Sequence, residues 1–270
     1  MLIPIKELNE MLPSFYQAGT VNVIAGRPGM GKTSLIAQLY YAYAITANQD
    51  TARHAIFVGL EDSYSTWITK IISQQAEVEF EKVKDKENKC TGAEFQRVVA
   101  TTNEIITATN SAFYSHFQDF SDVERIRETC EKFDVVFIDK LQLFPLKFNY
   151  NEFFSSLKRI AVETNCSIVI TSDLDQGVEK RSGHRPLLTD FTNAPNVADH
   201  ADSVIFIHRR EYYDPMDKPS MAELIIAKNR LGATGQITTT FRKNIPCFFD
   251  YAPIKYETSE ETLEKEYSHF

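Results

Sequence analysis

Short apolar runs rich in β-branched and aromatic residues recur along the chain: VNVIAG, HAIFVGL, DVVFID, SIVITSDL, SVIFIHR, AELIIAKNR, TTTFRK and CFFDY. Their hydrophobicity is continuous rather than alternating, which is the pattern of strands covered on both faces. Between the early runs, residues 34–46, 65–75, 92–107, 122–133 and 151–164 carry apolar side chains at three- and four-residue intervals, so each is predicted to be a helix. Strand alternating with helix predicts an α/β fold: a mainly parallel central sheet flanked by helices, joined by right-handed crossovers. After about Ser203 the runs follow one another with no room for helices, which predicts antiparallel C-terminal strands extending the sheet. Neither an internal repeat nor a Pro/Gly/Ser linker divides the chain. The expected organisation is one domain over residues 1–254 and an acidic tail over 255–270.

Composition narrows the class. With 270 residues, 43% hydrophobic and 24% charged, the chain is neither disordered nor fibrous, and its length approaches the upper limit for a single hydrophobic core. No stretch approaches 18 uninterrupted apolar residues, and MLIPIKELNE lacks the basic lead and apolar run of a secretory signal, so a cytoplasmic location and no membrane contact are expected. Cys90, Cys130, Cys166 and Cys247 stand far apart without metal-ligand spacing, and they read as ordinary buried or half-buried thiols. A formal net charge of −8 argues against a surface coated for unspecific nucleic-acid binding, though it leaves room for a local basic groove. Acidic residues gather at 77–89 and 257–267, where few apolar residues accompany them, so both stretches read as solvated helix or frayed terminus.

The sharpest chemical signal follows the first strand. VNVIAG runs into Gly26-Arg27-Pro28-Gly29-Met30-Gly31-Lys32-Thr33, a match to GxxxxGK[ST] that opens a helix at Ser34. Glycines let backbone N–H groups curl around a β-phosphate, the helix N-terminus at Ser34 adds its positive end, Lys32 bridges β- and γ-phosphates, and the Thr33 hydroxyl ligates Mg²⁺. ATP and Mg²⁺ are the expected cofactors. Asp139 ends the apolar run of DVVFID, where a strand's C-terminal edge meets such a site, and is the candidate magnesium-linked carboxylate. Glu61 and Asp62 follow HAIFVGL at the same edge, and either could orient the attacking water.

IAGRPGMGKTSLIAQ, FVGLEDS, VVFIDKLQLF, VEKRSGHRPLLTDF, ADSVIFIHRREYYDP and AELIIAKNRLGATG together resemble the RecA-like ATPase domain of the DnaB-type replicative helicase family. The resemblance covers nearly the whole chain in the family's order. It implies a RecA-like P-loop NTPase with Glu61 as the water-polarising carboxylate, Asp139 as the magnesium-linked acid, and Arg209 flanking the nucleotide base. It also implies that Lys228 and Arg230, in KNR, reach into a neighbouring subunit's ATP.

This sequence departs from the family pattern in four places. The family carries an N-terminal domain and a linker helix ahead of the ATPase domain, whereas here the resemblance starts near Leu2; a homo-oligomer that forms with nucleotide, hexameric if a ring closes, is the expectation. Where the family usually has Ser-Gln, an amide that senses the γ-phosphate, this chain has Ser172-Asp173, and an anion beside phosphate is repulsive unless a metal or lysine intervenes. The DNA-facing loop, Arg-Glu-Ser-Gly in the family, is Thr192-Asn193-Ala194-Pro195. The loop PLKFNYNEFF holds a single lysine among aromatics. Lys180, Arg181, His184 and Arg185 remain as a basic strip, so Lys180, Arg181, Arg185, Thr192 and Asn193 are the expected contacts to single-stranded DNA.

Three functions fit this pattern. One is an ATP-driven motor on single-stranded DNA. Another is a nucleotide-regulated assembly or interaction module whose DNA loops have drifted. A third, a recombinase or clock-type RecA relative, explains the phosphate loop but not KNRLGATG.

Overall fold

A computed structural model describes residues 5–47, 54–85, 90–107, 111–115, 123–143, 150–191 and 197–251. The tail at 255–270, residues 86–89 of the first acidic stretch, most of the PLKFNY loop and positions 192–196 lie outside them. Nine strands are described: β1 Val21–Gly26, β2 Ala55–Gly59, β3 Ser111–Ser115, β4 Val135–Asp139, β5 Ser167–Asp173, β6 Ser203–His208, β7 Met221–Asn229, β8 Gly235–Arg242 and β9 Cys247–Asp250. They form one sheet in the order β3-β2-β4-β5-β1-β6-β7-β8-β9. The strands from β3 to β6 in that order are parallel, and β7, β8 and β9 add on antiparallel. The eight apolar runs all become strands. β3 was not expected, since SAFYS offers only three apolar residues and extends the sheet at its far edge.

The helices are α1 Lys6–Met11, α2 Lys32–Ala47, α3 Tyr64–Ala76, α4 Phe80–Lys84, α5 Gly92–Thr107, α6 Val123–Cys130, α7 Tyr150–Thr164 and α8 Val197–His200. All five expected helices form, with α6 stopping three residues short of position 133. The four- to six-residue α1, α4 and α8 are too short to register as periodicity. α4 lies in the acidic stretch and buries none of its residues, as a solvated helix should.

Two apolar clusters sandwich the sheet. One gathers α2 and α3 with Phe57, Phe137, Ile205, Leu224 and Phe248; the other gathers α6 and α7 with Val136, Ile168 and Phe206. α2 is apolar nearly all round because its outer side is covered too, by Ile5, Leu8, Leu12 and Phe15 of the N-terminal segment and by Trp67. Tyr40 of α2 meets Trp67 and Phe137 edge-on at ring separations of 5.2 and 5.4 Å, and Trp67 stacks on Phe57 at 4.0 Å. Such packing fixes the helix that carries Lys32 and Thr33, each large buried side chain contributing about 1.5–3 kcal/mol. The four cysteines are free, three buried and Cys90 half-buried. Among the described residues, no helix is long and apolar enough to cross a membrane.

Register then assembles the site. Gly26 at the end of β1 pairs with Asp173 at the end of β5, and Gly59 at the end of β2 pairs with Asp139 at the end of β4. Four strand ends and the α2 N-terminus therefore converge on one edge of the sheet, where parallel α/β folds bind ligands.

Candidate phosphate site and its surroundings

The loop over residues 26–33 leaves β1 and enters α2 directly. Gly29 and Gly31 have φ of +79° and +103°, a backbone region closed to most side chains. A Cβ at Gly31 would also lie 2.9 Å from the Phe248 ring, so glycine is demanded there twice over. Met30 is buried in the α2 cluster and anchors the loop rather than facing the cleft. Arg27 turns away, pairing with Glu179 at 2.8 Å and donating to the Leu174 carbonyl at 2.7 Å. The Ser34 carbonyl accepts from Gln74 Nε2 at 3.0 Å, which ties the first turn of α2 to α3.

The loop opens on a cleft of about 370 Å³ lined by Pro28, Gly29, Gly31, Lys32, Thr33, Ser34, Glu61, Asp62, Lys70, Lys140, Asp173, Phe241 and Pro246. Lys32 is buried at its foot. Its Nζ donates to the carbonyls of Gly26 (3.0 Å) and Arg27 (3.1 Å) and lies 2.6 Å from Asp173 Oδ1. Lys140 Nζ bridges Glu61 Oε1 at 3.0 Å and Asp173 Oδ2 at 3.4 Å. Burial raises the Asp173 pKa, but the two lysines outweigh it and hold the carboxyl below the ordinary aspartate value. Burial likewise lowers the Lys140 pKa, and Glu61 and Asp173 reverse this to a net rise. Gln142 fixes the Asp173 backbone, accepting from its N–H at 3.0 Å and donating to its carbonyl at 3.3 Å. Asp62 pairs with Lys70 at 2.8 Å, so both candidate water-orienting carboxylates stand on the cleft wall, each beside a lysine.

Asp139 is 3% exposed and is hydrogen-bonded by the hydroxyls of Thr171 and Thr33. Burial dominates and pushes its pKa up. A buried carboxylate touching a threonine hydroxyl at a phosphate loop is a hard-oxygen pair short of positive charge, and this donor set suits Mg²⁺, which takes one or two protein oxygens and completes its shell with phosphate and water.

Arg209, expected to flank a base, lies against the phosphate loop. It is 3% exposed, donates to the Gly29 carbonyl (3.1 Å) and to Glu211 (3.1 Å from Nε), and lies over the Phe241 ring at 4.2 Å. It braces the phosphate loop from beneath. Lys228 and Arg230 stand at the opposite edge of the sheet. Asn229 is in register with Ser203, and Ser203 with Asn22, about 13 Å along the strand from Gly26. Arg230 reaches Asp202 at 3.4 Å, and Lys228 donates to the Ala198 carbonyl. Asp202 is the hub there, taking Lys158 at 2.8 Å and the Val21 N–H at 2.8 Å. Neither KNR cation can reach its own chain's phosphate loop.

The expected DNA strip is not a row of free cations. Arg181 makes a forked pair with Asp190 at 2.8 and 3.0 Å, and Arg185 pairs with Glu223 at 2.5 Å and Gln236 at 2.6 Å. His184 stacks on Tyr213 at 4.0 Å. Lys180 stays exposed. Thr192 and Asn193 lie outside the described residues. Sequence reasoning missed Lys140, Lys70, Gln142, Thr171 and Glu211; Lys140, directly after Asp139, was the one with a local signal.

A RecA-like α/β sheet carrying a strand-loop-helix phosphate cradle defines the class of this protein. Residues 3–250 match the family profile of the DnaB-like helicase C terminal domain, and the chain belongs to that family. It is 29% identical over 241 residues to a probable plasmid replicative DNA helicase of Chlamydia psittaci, an alignment covering 84% of this chain and 50% of that protein. The chain thus spans about half the length of the curated relatives it matches. Among solved structures it superposes on an ATPase domain of similar length with a TM-score of 0.80 at 23% identity, covering 93% of this chain and 91% of that one. It superposes on a DnaB-like replicative helicase studied for its interactions with primase with a TM-score of 0.81 at 24% identity, covering 93% and 62%.

Proposed function

We propose that this chain is an ATPase that hydrolyses ATP with Mg²⁺ at residues 26–33 and drives movement on single-stranded DNA as part of a ring. The observation that supports it most is the convergence of Lys32, Thr33 and Asp139 at the strand edge in a chain of this family. Loop N–H groups and Lys32 hold the phosphates, Thr33 and Asp139 hold the metal, and Glu61 orients water. Mg²⁺, when bound, neutralises charge developing on the phosphate oxygens. Because Lys228 and Arg230 lie a strand length from their own cleft, their role is in a neighbour's site, which makes hydrolysis depend on assembly. The test is turnover of purified protein with and without single-stranded DNA: Lys32→Ala should abolish it, and unchanged turnover in that variant removes the basis of the reading.

A second reading, a nucleotide-regulated assembly module without unwinding activity, is favoured by one observation. The arginines of the basic strip are occupied by Asp190 and Glu223. Anisotropy measurements separate the two: no binding of single-stranded DNA near 50 mM salt, even with a non-hydrolysable ATP analogue, favours the module.

A further inference from the structure

The cleft that should receive a triphosphate already contains an anion. Asp173 places one carboxylate oxygen 2.6 Å from Lys32 and the other 3.4 Å from Lys140, and Lys140 in turn is 3.0 Å from Glu61. Its position is set by the sheet: Asp173 is opposite Gly26, where the phosphate loop begins, and Gln142 clamps its backbone from both sides. The charge inventory runs the same way. Lys32, Lys70 and Lys140 line the cleft with Asp173, Asp62 and Glu61, so each of these lysines already has a carboxylate partner before any phosphate arrives.

We propose that Asp173 is an internal stand-in for the terminal phosphate, and that Lys140 is a second phosphate-binding lysine which a triphosphate takes over from it. This rests on the nucleotide reading above. Without ligand, Asp173 neutralises Lys32, and Lys140 is shared between Asp173 and Glu61. A terminal phosphate arriving beside Lys32 competes with Asp173 for both lysines. A diphosphate, which lacks that group, competes less. Drawing Lys140 toward phosphate also releases Glu61 from its ion pair, so the carboxylate suited to orienting water is freed only when the triphosphate is in place. Lys140 is a positioning residue with respect to Glu61 and a specificity-determining one with respect to phosphate number.

The experiment is calorimetric titration of the full chain with Mg²⁺-ADP and with a Mg²⁺-bound non-hydrolysable ATP analogue. Asp173→Asn should tighten the analogue about tenfold, the scale of removing one like charge from a half-buried site, and change ADP far less. Lys140→Gln should weaken the analogue about tenfold. The decisive comparison repeats Lys140→Gln in the Asp173→Asn background: a lysine that contacts phosphate still matters there, whereas one that only neutralises Asp173 does not. Loss of the Lys140 effect in that background overturns the proposal, as does weaker analogue binding by Asp173→Asn in a protein with an unchanged melting curve. Asp173→Gln serves as the second variant should the asparagine disturb folding, with the same outcomes expected. If the wild-type chain binds neither nucleotide, the phosphate-site reading falls together with this one; if it binds both and the variants fail as described, only this one falls.

Discussion

Glu211 never contacts the cleft, yet it should control the phosphate loop. Its side chain is 6% exposed and holds Arg209, which is 3% exposed; Lys243 stands 3.5 Å away, and the Ser220 N–H donates to it at 2.8 Å. Glu211→Gln keeps an acceptor but removes the charge, leaving the buried Arg209 guanidinium without its carboxylate and held by the amide oxygen, the Gly29 carbonyl and the Phe241 ring. Removing one member of a buried ion pair costs about 3–5 kcal/mol, and the retained amide oxygen places this case near 3. For a chain of this size that corresponds to a melting temperature roughly 6–12 °C lower. Circular dichroism melts without nucleotide measure it at pH 7.

The pH dependence carries a sign. Burial works to raise the Glu211 pKa, but the Ser220 N–H, Arg209 and Lys243 bring it below the ordinary glutamate value. The stabilisation is therefore full above the unfolded-state value of about 4.3 and is lost as pH falls through the lower folded value, so wild type and variant should converge in acid. Arg209→Met with Glu211→Leu should recover most of the melting temperature, because an apolar pair of similar volume replaces both charges, while the Gly29 anchor stays lost and nucleotide affinity stays reduced. A Glu211→Gln melt within about 2 °C of wild type would refute the reasoning.

Three further outcomes are expected. Glu61→Gln should slow hydrolysis about a hundredfold or more while ATP stays bound; if Asp62→Asn does this and Glu61→Gln does not, the assignment is reversed, and single-turnover assays decide. His208 is 3% exposed with a pKa lowered chiefly by burial, whereas the unfolded chain takes up its proton near pH 6.5, so native stability should fall as pH drops below about 6.5 and a His208→Gln variant should lose that slope in urea titrations. Binding to single-stranded DNA should be weak near 50 mM salt and largely gone by about 200 mM, and Lys180→Ala should flatten the salt dependence without changing the melt, whereas Arg181→Ala should lower the melting temperature by stranding Asp190; the reverse pattern would sink the assignment.

What could be read from the sequence was what is local. The phosphate loop is eight contiguous residues with a strand before and a helix after, and Asp139 closes a four-residue apolar run; both signals lie within a few residues of the chemistry they mark. β3 escaped because a five-residue edge strand with polar ends carries no period and declares itself only by pairing with β2. Asp173 could be flagged as an anion beside phosphate, with a lysine as its natural remedy. Which lysine was hidden, because Lys140 and Asp173 are brought together by the adjacency of β4 and β5, and Lys32 joins them by the adjacency of β5 and β1.

The cations show the same limit from the other side. A sequence counts Arg181, Arg185 and Arg209 as positive charges available for DNA or nucleotide, since their partners Asp190, Glu223 and Glu211 carry no mark of pairing. Once each guanidinium is matched by a carboxylate, its contribution to an external phosphate is the difference between two ion pairs rather than the whole of one, and little counterion release follows from exchanging one anion for another. Among the described residues, Lys180 has no such carboxylate to exchange. Affinity for a polyanion in this region is thus set by which cations stay unmatched after folding, and for the described residues of the strip that leaves Lys180 ahead of the two arginines.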